Sequence, residues 1–186
     1  MRKIRRVITG IDENGKSIFV SDEEVHEIAP PVLAGATIIN LFGEDIVPTV
    51  PNDGSNDGSL RYYPPTDGYR FSVFTYPPKA QMVMPDDLEA AIAETARVAP
   101  GLEEAVSSPD GWHYTPTVDL EYIVAGEFTL YLDGGASKVL RAGDCIVHCG
   151  EKHSWANEGT ESATILVTFI GAHQDESRFG EHRIQH

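Results

Sequence analysis

The chain has 186 residues, of which 41% are hydrophobic and 23% charged, as in a single globular domain with a sizeable core. Its 29 Asp and Glu residues outnumber its 14 Lys and Arg residues, and the formal net charge is −15. A surface of this sign repels phosphate backbones and anionic lipid headgroups, so we expect neither nucleic acid nor a membrane as a partner.

The first part of the chain predicts short strands separated by turns. Residues 4–9 and 17–21 are strand-like and are joined around Asn14-Gly15, a dipeptide typical of hairpin turns. Residues 36–42 predict a third, more buried strand.

A long loop and a helix follow. Residues 47–65 contain Asn-Asp-Gly-Ser twice in succession, and we interpret this loop as a surface insertion, with a binding loop as the alternative. Residues 69–76 alternate in polarity and predict a strand. Residues 87–98 predict a helix, for which Asp86 is a favourable N-cap and Glu89 completes a capping box.

The remainder of the chain predicts almost only strands, at 112–115, 119–125, 127–132, 138–141, 144–148, 153–156 and 163–170. Strands this short and this regularly spaced favour a closed sandwich or barrel. No change in composition marks a domain boundary. We therefore expect one domain over 1–186, in which 1–110 holds the N-terminal strands, loop and helix, 111–171 holds the core, and 172–186 is a polar tail.

Two runs in the second half resemble the paired motifs of the cupin superfamily, GWHYTPTVDLEYIVAGE from Gly111 and AGDCIVHCGEKHSWANEG from Ala142. In that family the first motif has two histidines separated by one residue, an acid four or five positions later, and a glycine seven after the acid. The second motif has Gly-Asp, a strand, a turn glycine, a histidine three positions on, and an asparagine four after that.

The second motif is matched closely, by Gly143, Asp144, Gly150, His153 and Asn157. The first motif is matched in part, so it is a degenerate form of the family pattern. His113 occupies the position of its first histidine, and Gly126 has the expected spacing. Thr115 replaces the second histidine, and Asp119 replaces the usual glutamate.

The resemblance implies an all-β fold, a single cupin (jelly-roll-like) β-barrel of the small cupin-2-like kind, with one or two short helices before the first motif. It also implies that His113, Asp119 and His153 converge inside the barrel, as catalytic residues or as metal ligands. Two imidazoles and one carboxylate are a competent ligand set for Fe, Mn, Ni, Zn or Co, and they leave positions open for substrate.

The altered first motif weakens this ligand set. Thr115 removes one of the family's four ligands, and Asp119 is shorter than glutamate by one methylene. His148 or Glu121 could complete the set, because Glu121 shares the strand face of Asp119 by parity and His148 stands near the end of a strand beside the site. We expect Thr115, Tyr122 and Trp155 to line the substrate pocket.

A metal-free site is the alternative. An aspartate that faces a histidine inside a barrel can form a hydrogen-bonded pair without any ion. The barrel would then bind an organic molecule, and His113 or His153 could act as a general base oriented by Asp119.

Cupins have many functions, so the fold alone does not identify an activity. The first hypothesis is a cupin enzyme, a metal-dependent oxygenase, isomerase or lyase, that acts on a small aromatic or carboxylate molecule. The second is a cupin that binds a small molecule without catalysis.

Two further expectations concern location and assembly. Cys145 and Cys149, the two cysteines, lie roughly 13 Å apart along one predicted strand, too far for a disulfide within it, which favours a reducing cytoplasm. The resemblance also implies a homodimer, because cupins often pair through N-terminal strands.

Overall fold

The computed structural model describes residues 3–56, 61–105, 111–175 and 177. Strands dominate it, and its elements in chain order are β1 (Lys3–Ile11), β2 (Ser17–His26), β3 (Thr37–Glu44), β4 (Tyr69–Tyr76), α1 (Leu88–Val98), α2 (Leu102–Ala105), β5 (Thr117–Ala125), β6 (Glu127–Leu132), β7 (Ser137–Arg141), β8 (Cys145–His148), β9 (His153–Ala156) and β10 (Ala163–Gly171). Short 3-10 helices occur at Pro31–Leu33 and Lys79–Gln81.

The strands form two antiparallel sheets and a separate hairpin. One sheet has five strands in the order β3-β4-β10-β5-β8, and the other has three in the order β7-β6-β9. A core of buried apolar side chains fills the space between them, with Phe128 from the smaller sheet and Ile38, Phe74, Ile123 and Val167 from the larger one. This confirms the predicted all-β, jelly-roll-like fold.

The N-terminal hairpin of β1 and β2 covers the other face of the five-stranded sheet. Ile4 and Val25 of the hairpin pack on Ile39, Leu41 and Val73, which point away from the main core. The main core therefore lies on the inner faces of the two sheets, where Ala91 of α1 and Leu102 of α2 also join it.

The ladders within the described residues do not run continuously from one sheet to the other, so the predicted barrel is not closed by unbroken pairing. Residues 112–115 are also not a strand. They supply one isolated bridge, between His113 and His153, which links the segment before β5 to β9.

The helix begins one residue later than predicted. Asp87, not Asp86, is the N-cap, because its side chain accepts a hydrogen bond from the backbone N–H of Ala90 at 2.9 Å. The capping box with Glu89 is therefore wrong, since Glu89 lies two residues after the cap instead of three.

Parts of several sequence predictions lie outside the described residues: 57–60 of the long loop, the chain around the boundary at 110, and most of the polar tail. Both cysteines are free and exposed. None of the helices in the described ranges is long and apolar enough to cross a membrane.

Candidate metal and substrate site

Alternation along β5 places two carboxylates in the interior. Asp119 is 4% exposed, and the Glu121 side chain is 8% exposed and points to the same face, ahead of the fully buried Ile123. Tyr122 lies on the opposite face and is 48% exposed, so the structure does not bring it to the pocket. The expectation for Tyr122 is thus corrected by the same parity that unites Asp119 and Glu121.

Three histidine rings stand next to these carboxylates. The rings of His113 and His153 have centroids 4.5 Å apart, and the ring of His148 stacks on that of His153 at 4.0 Å. His148 is also the cross-strand partner of Asp119 in the β5–β8 ladder. Gly150, at a φ of 80°, allows the turn that places β8 and β9 so close.

The side chains enclose a small cavity of about 60 Å³. Four of the five proposed ligand residues line it, namely His113, Asp119, Glu121 and His153. The other lining residues are Thr115, Trp155 and the apolar or aromatic residues Leu33, Tyr63, Phe74, Tyr76, Leu102, Ile165 and Phe169. The structure thus brings the three motif-derived residues to one cavity. His148 lies behind His153 and is 1% exposed.

Backbone carbonyls fix the protonation of two rings. The Nδ1 of His113 lies 3.0 Å from the carbonyl oxygen of Gly111, and the Nδ1 of His153 lies 2.9 Å from that of Glu151. A carbonyl oxygen can only accept, so each Nδ1 carries the proton and donates it. The lone pair is therefore on Nε2 in both rings, where it can bind a metal ion or accept a proton.

Three buried polar atoms in the cluster have no hydrogen-bond partner among the described residues: Asp119 Oδ1, Glu121 Oε2 and His148 Nε2. The general-base alternative expected Asp119 to orient His113 or His153. Asp119 instead accepts a hydrogen bond from the Thr117 hydroxyl. The distance from His148 Nε2 to Glu121 Oε2 is 3.8 Å, too long for a hydrogen bond.

Unpartnered buried polar atoms are costly, and a bound cation would stabilise them. Two metal bonds of about 2.1 Å can span such a 3.8 Å gap. The donor set, imidazole nitrogens and carboxylate oxygens, suits a first-row divalent ion. On these observations the residues present fit a metal.

Burial shifts the pKa values of both interior carboxyls upward. It raises the pKa of Asp119 to about 6, against the hydrogen bond from Thr117. It raises the pKa of Glu121 to about 8, and the neighbouring Asp119 and Glu151 add to the shift. Without a cation, Glu121 is therefore mainly neutral at pH 7, whereas Asp119 is still mainly ionised.

Burial also favours the neutral form of His113 and His153. It lowers the pKa of His113, and it lowers the pKa of His153 to about 3, with added repulsion from His113 and His148. Perturbed values of this kind concentrate at functional sites, and here they coincide with a cavity and a convergent donor set.

Glu151 was not predicted from the sequence. Its carboxylate accepts hydrogen bonds from His148 Nδ1 and from the backbone N–H of Cys149, the latter at 2.8 Å. Burial would raise the pKa of Glu151, but these hydrogen bonds outweigh it and hold the pKa below its usual value. His148, Glu151 and His153 have ligand atoms within 4.8 Å of one another and could hold a metal ion.

Residues 97–169 match the family model described as a cupin domain, and this range covers both motifs and all five proposed ligand residues. Residues 97–169 are thus a cupin domain. The departures at Thr115 and Asp119 are thus features of an altered cupin site.

The chain is similar to several fungal proteins. It is 24% identical over 184 residues to the cupin-domain-containing oxidoreductase srdD of Neurospora crassa, covering 97% of this chain and 82% of that protein. It is 36% identical over 62 residues to the oryzines biosynthesis cluster protein J of Aspergillus oryzae, where the match spans 33% of this chain and 35% of that protein.

Two further proteins are similar. The phomopsin biosynthesis cluster protein D of Diaporthe leptostromiformis is 27% identical over 158 residues, 84% of this cupin and 72% of its own length. Among solved structures, the cupin domain of Cnp3 from Schizosaccharomyces pombe has a TM-score of 0.48 at 10% identity, over 98% of this chain and 97% of that one.

Proposed function

We propose that this cupin is an enzyme that acts on a small organic molecule in the cavity beside His113, Asp119 and His153. The observation that carries the proposal is the convergence of two imidazoles with free Nε2 atoms and two buried carboxylates on one cavity. Such a set is costly to bury unless it binds something.

We further propose that a divalent metal is part of the active enzyme. His113, His153 and Asp119 would hold it, with Glu121 and His148 as the nearest additional donors. When bound, such an ion acts as a Lewis acid on a substrate oxygen or takes part in redox chemistry.

We place the metal at the Nε2 atoms of the cavity histidines and not within the group of His148, Glu151 and His153. The Nδ1 atoms of His148 and His153 already face acceptors, the carboxylate and the backbone carbonyl of Glu151. A nitrogen that donates its proton to such a partner has no lone pair for an ion. We therefore assign Glu151 the positioning of His148, in the manner of the carboxylates that orient metal-bound histidines.

The chain's own residues would prepare the site in two ways. The backbone carbonyls of Gly111 and Glu151 hold both rings in one tautomer, so each Nε2 is ready to bind or to accept a proton. Apolar and aromatic side chains around the cavity, among them Phe74 and Phe169, exclude water and strengthen electrostatic interactions inside it.

The names of two relatives favour redox chemistry among the possible reaction classes. The Neurospora crassa protein and virC of Hypocrea virens, 28% identical over 163 residues, are both called cupin-domain-containing oxidoreductases. We propose oxidation of an organic substrate ahead of isomerisation or elimination.

A metal-free binding protein is the second candidate. It is favoured by the raised pKa of Glu121, because a neutral carboxyl beside neutral imidazoles can remain buried without a cation. In that case the cavity would hold a ligand that is never converted.

Metal content separates the two candidates. Protein purified without an affinity tag would be analysed for metals, alongside His113→Ala and His153→Ala, with His26→Ala on the exposed β2 as the matched control. We expect near-stoichiometric metal in the parent and the control, and a loss in both cavity variants. Metal that is scarce in the parent and unchanged in all three variants would refute the metalloenzyme.

A further inference from the structure

The inner cavity is too small for most organic molecules. Its volume of about 60 Å³ is far below the roughly 300–1,000 Å³ of pockets that hold drug-sized ligands. An ion and a few substrate atoms fill such a space. The rest of any larger substrate must therefore lie outside it.

A second, larger chamber adjoins the inner one. It has a volume of about 570 Å³, within the range of pockets that hold drug-sized ligands. The two chambers share Leu33, Tyr76, His113 and Trp155 as lining residues. Because His113 lines both chambers, a molecule in the outer chamber can contact the same histidine that faces the inner one.

The outer chamber is mainly apolar. Its wall includes Met82 and Met84 before α1 and two residues of that helix, Leu88 and Ile92. Leu88 is 50% exposed and Ile92 is 39% exposed, although both are large apolar side chains on a helix whose buried residues are Ala91 and Thr95. A bound apolar molecule would cover these two side chains.

Among the residues that the structure describes, the lining of the outer chamber contains no carboxylate, although the chain has 29 acidic residues. Its one fully charged lining residue is Lys79, whose Nζ lies 3.0 Å from Glu158 Oε1. The Tyr131 hydroxyl donates to the same carboxylate at 3.3 Å. The charge of Lys79 is thus already paired with Glu158, and the described lining residues include no second fully charged side chain to bind a charged ligand.

We propose that the substrate is an elongated organic molecule with an uncharged, mainly apolar body in the outer chamber and one polar reacting group that enters the inner cavity. This deepens the proposed function, on which it rests for the reaction itself. The apolar wall formed by Leu88, Ile92 and the two methionines determines the specificity for the body.

Both tryptophans of the chain, Trp112 and Trp155, line the outer chamber, so intrinsic fluorescence reports on its occupancy. Chelated protein would be titrated with the n-alkanols from hexanol to decanol, and with decanedioate as a charged probe of the same length as decanol. Burial of each added methylene should tighten binding about three- to fourfold. Decanedioate should bind at least tenfold more weakly than decanol, because its charges would lose water without gaining a partner.

Three variants on α1 make the test specific. Leu88→Asn and Ile92→Asn should weaken decanol binding threefold or more, because each places an amide in the apolar wall. Ala93→Asn introduces the same side chain at an exposed position outside the lining, with a helix-propensity cost at least as large, and it should bind decanol as the parent does. Circular dichroism would show that all three variants remain folded.

The inference is overturned if affinity does not depend on chain length, or if the two lining variants bind decanol like Ala93→Asn. It is equally overturned if decanedioate binds as tightly as decanol. The metal content of the same protein before chelation is a separate result. If metal is absent but affinity rises with alkanol length as expected, the metalloenzyme is refuted and the binding role of the outer chamber is supported. Full metal loading with a flat alkanol series refutes the chamber alone.

Discussion

His113 and His153 are joined by two backbone hydrogen bonds, in which the N–H of each donates to the carbonyl of the other, at 3.0 and 2.9 Å. This bridge brings the first motif to the second across the opening between the two sheets. It fixes the two Cα positions independently of the rings, so either imidazole can be replaced without moving the backbone of the other.

The tautomers of these two rings are directly testable. In chelated protein at pH 7 we expect both to be neutral with the proton on Nδ1, since burial lowers both pKa values and the Gly111 and Glu151 carbonyls accept that proton. Correlation of ring protons with ring nitrogens by NMR distinguishes the two nitrogens. A protonated Nε2 on either ring, or a charged His153 ring at pH 6, would contradict the assignment.

The ring orientations explain what could and could not be predicted from the sequence. Motif spacing and strand parity were sufficient to place His113, Asp119 and His153 beside one cavity, because a two-residue period determines which side of a strand faces inward. Which backbone carbonyl faces each Nδ1 depends on the φ and ψ angles of the residues just before the histidine. No residue type in the sequence indicates that the carbonyls of Gly111 and Glu151 occupy these positions.

Other differences have equally local causes. Residues 112–115 have the composition of a strand, yet only His113 pairs, because the chain turns at Pro116 toward β5. Tyr122 was assigned to the pocket for its aromatic ring, although its parity with Leu120 places it on the outer face. The outer chamber could not be predicted, since its walls come from α1 and β9, which are distant in sequence.

Glu121 should make the chelated protein less stable as the pH rises. Its pKa is about 8 in the folded state and near 4.5 in the unfolded chain, so between these values the folded state holds the extra proton. Raising the pH through this window therefore favours unfolding, by an amount on the order of a few kcal/mol. Glu121→Gln cannot titrate and should lack this loss.

Urea unfolding of the parent and of Glu121→Gln at pH values from 4.5 to 9, both in the presence of a chelator, measures the effect. The difference in unfolding free energy should grow in favour of the variant up to about pH 8 and then level off. Two stability curves that run parallel over the whole range would show that Glu121 is ionised in the folded state.

Asn157, the last residue of the second motif, should be structural. It is 1% exposed, its Nδ2 donates to the backbone carbonyls of Tyr76 and Glu161 at 3.2 and 2.8 Å, and its Oδ1 accepts from the Gly159 N–H at 3.0 Å. Asn157→Ala leaves these backbone groups without partners and should lower the unfolding free energy by about 2–3 kcal/mol. Denaturant titration tests this, with Asn56→Ala at an exposed position as the control. Equal stability of the two variants would rule out this role.

Thr115 occupies the position at which the cupin family usually has its second histidine, and it is a buried residue that lines the inner cavity. Its hydroxyl lies 2.6 Å from that of Thr117, which hydrogen-bonds to Asp119. Thr115→His would add an imidazole on the wall of a space of about 60 Å³. If the cavity holds a metal, an additional nitrogen donor should tighten zinc binding about tenfold or more, equivalent to about 1.4 kcal/mol.

Competition with a chelating dye measures this affinity, and thermal unfolding shows whether the larger side chain is tolerated. Thr115→Asn is the matched control, because it adds a polar side chain of intermediate size without an imidazole. We expect zinc to raise the unfolding temperature of Thr115→His more than that of the parent or of Thr115→Asn, since a ligand that binds only the folded state stabilises it in proportion to its affinity. If the folded histidine variant binds zinc no better than the asparagine variant, position 115 does not face the ion, and the metal must lie nearer His148 and Glu121.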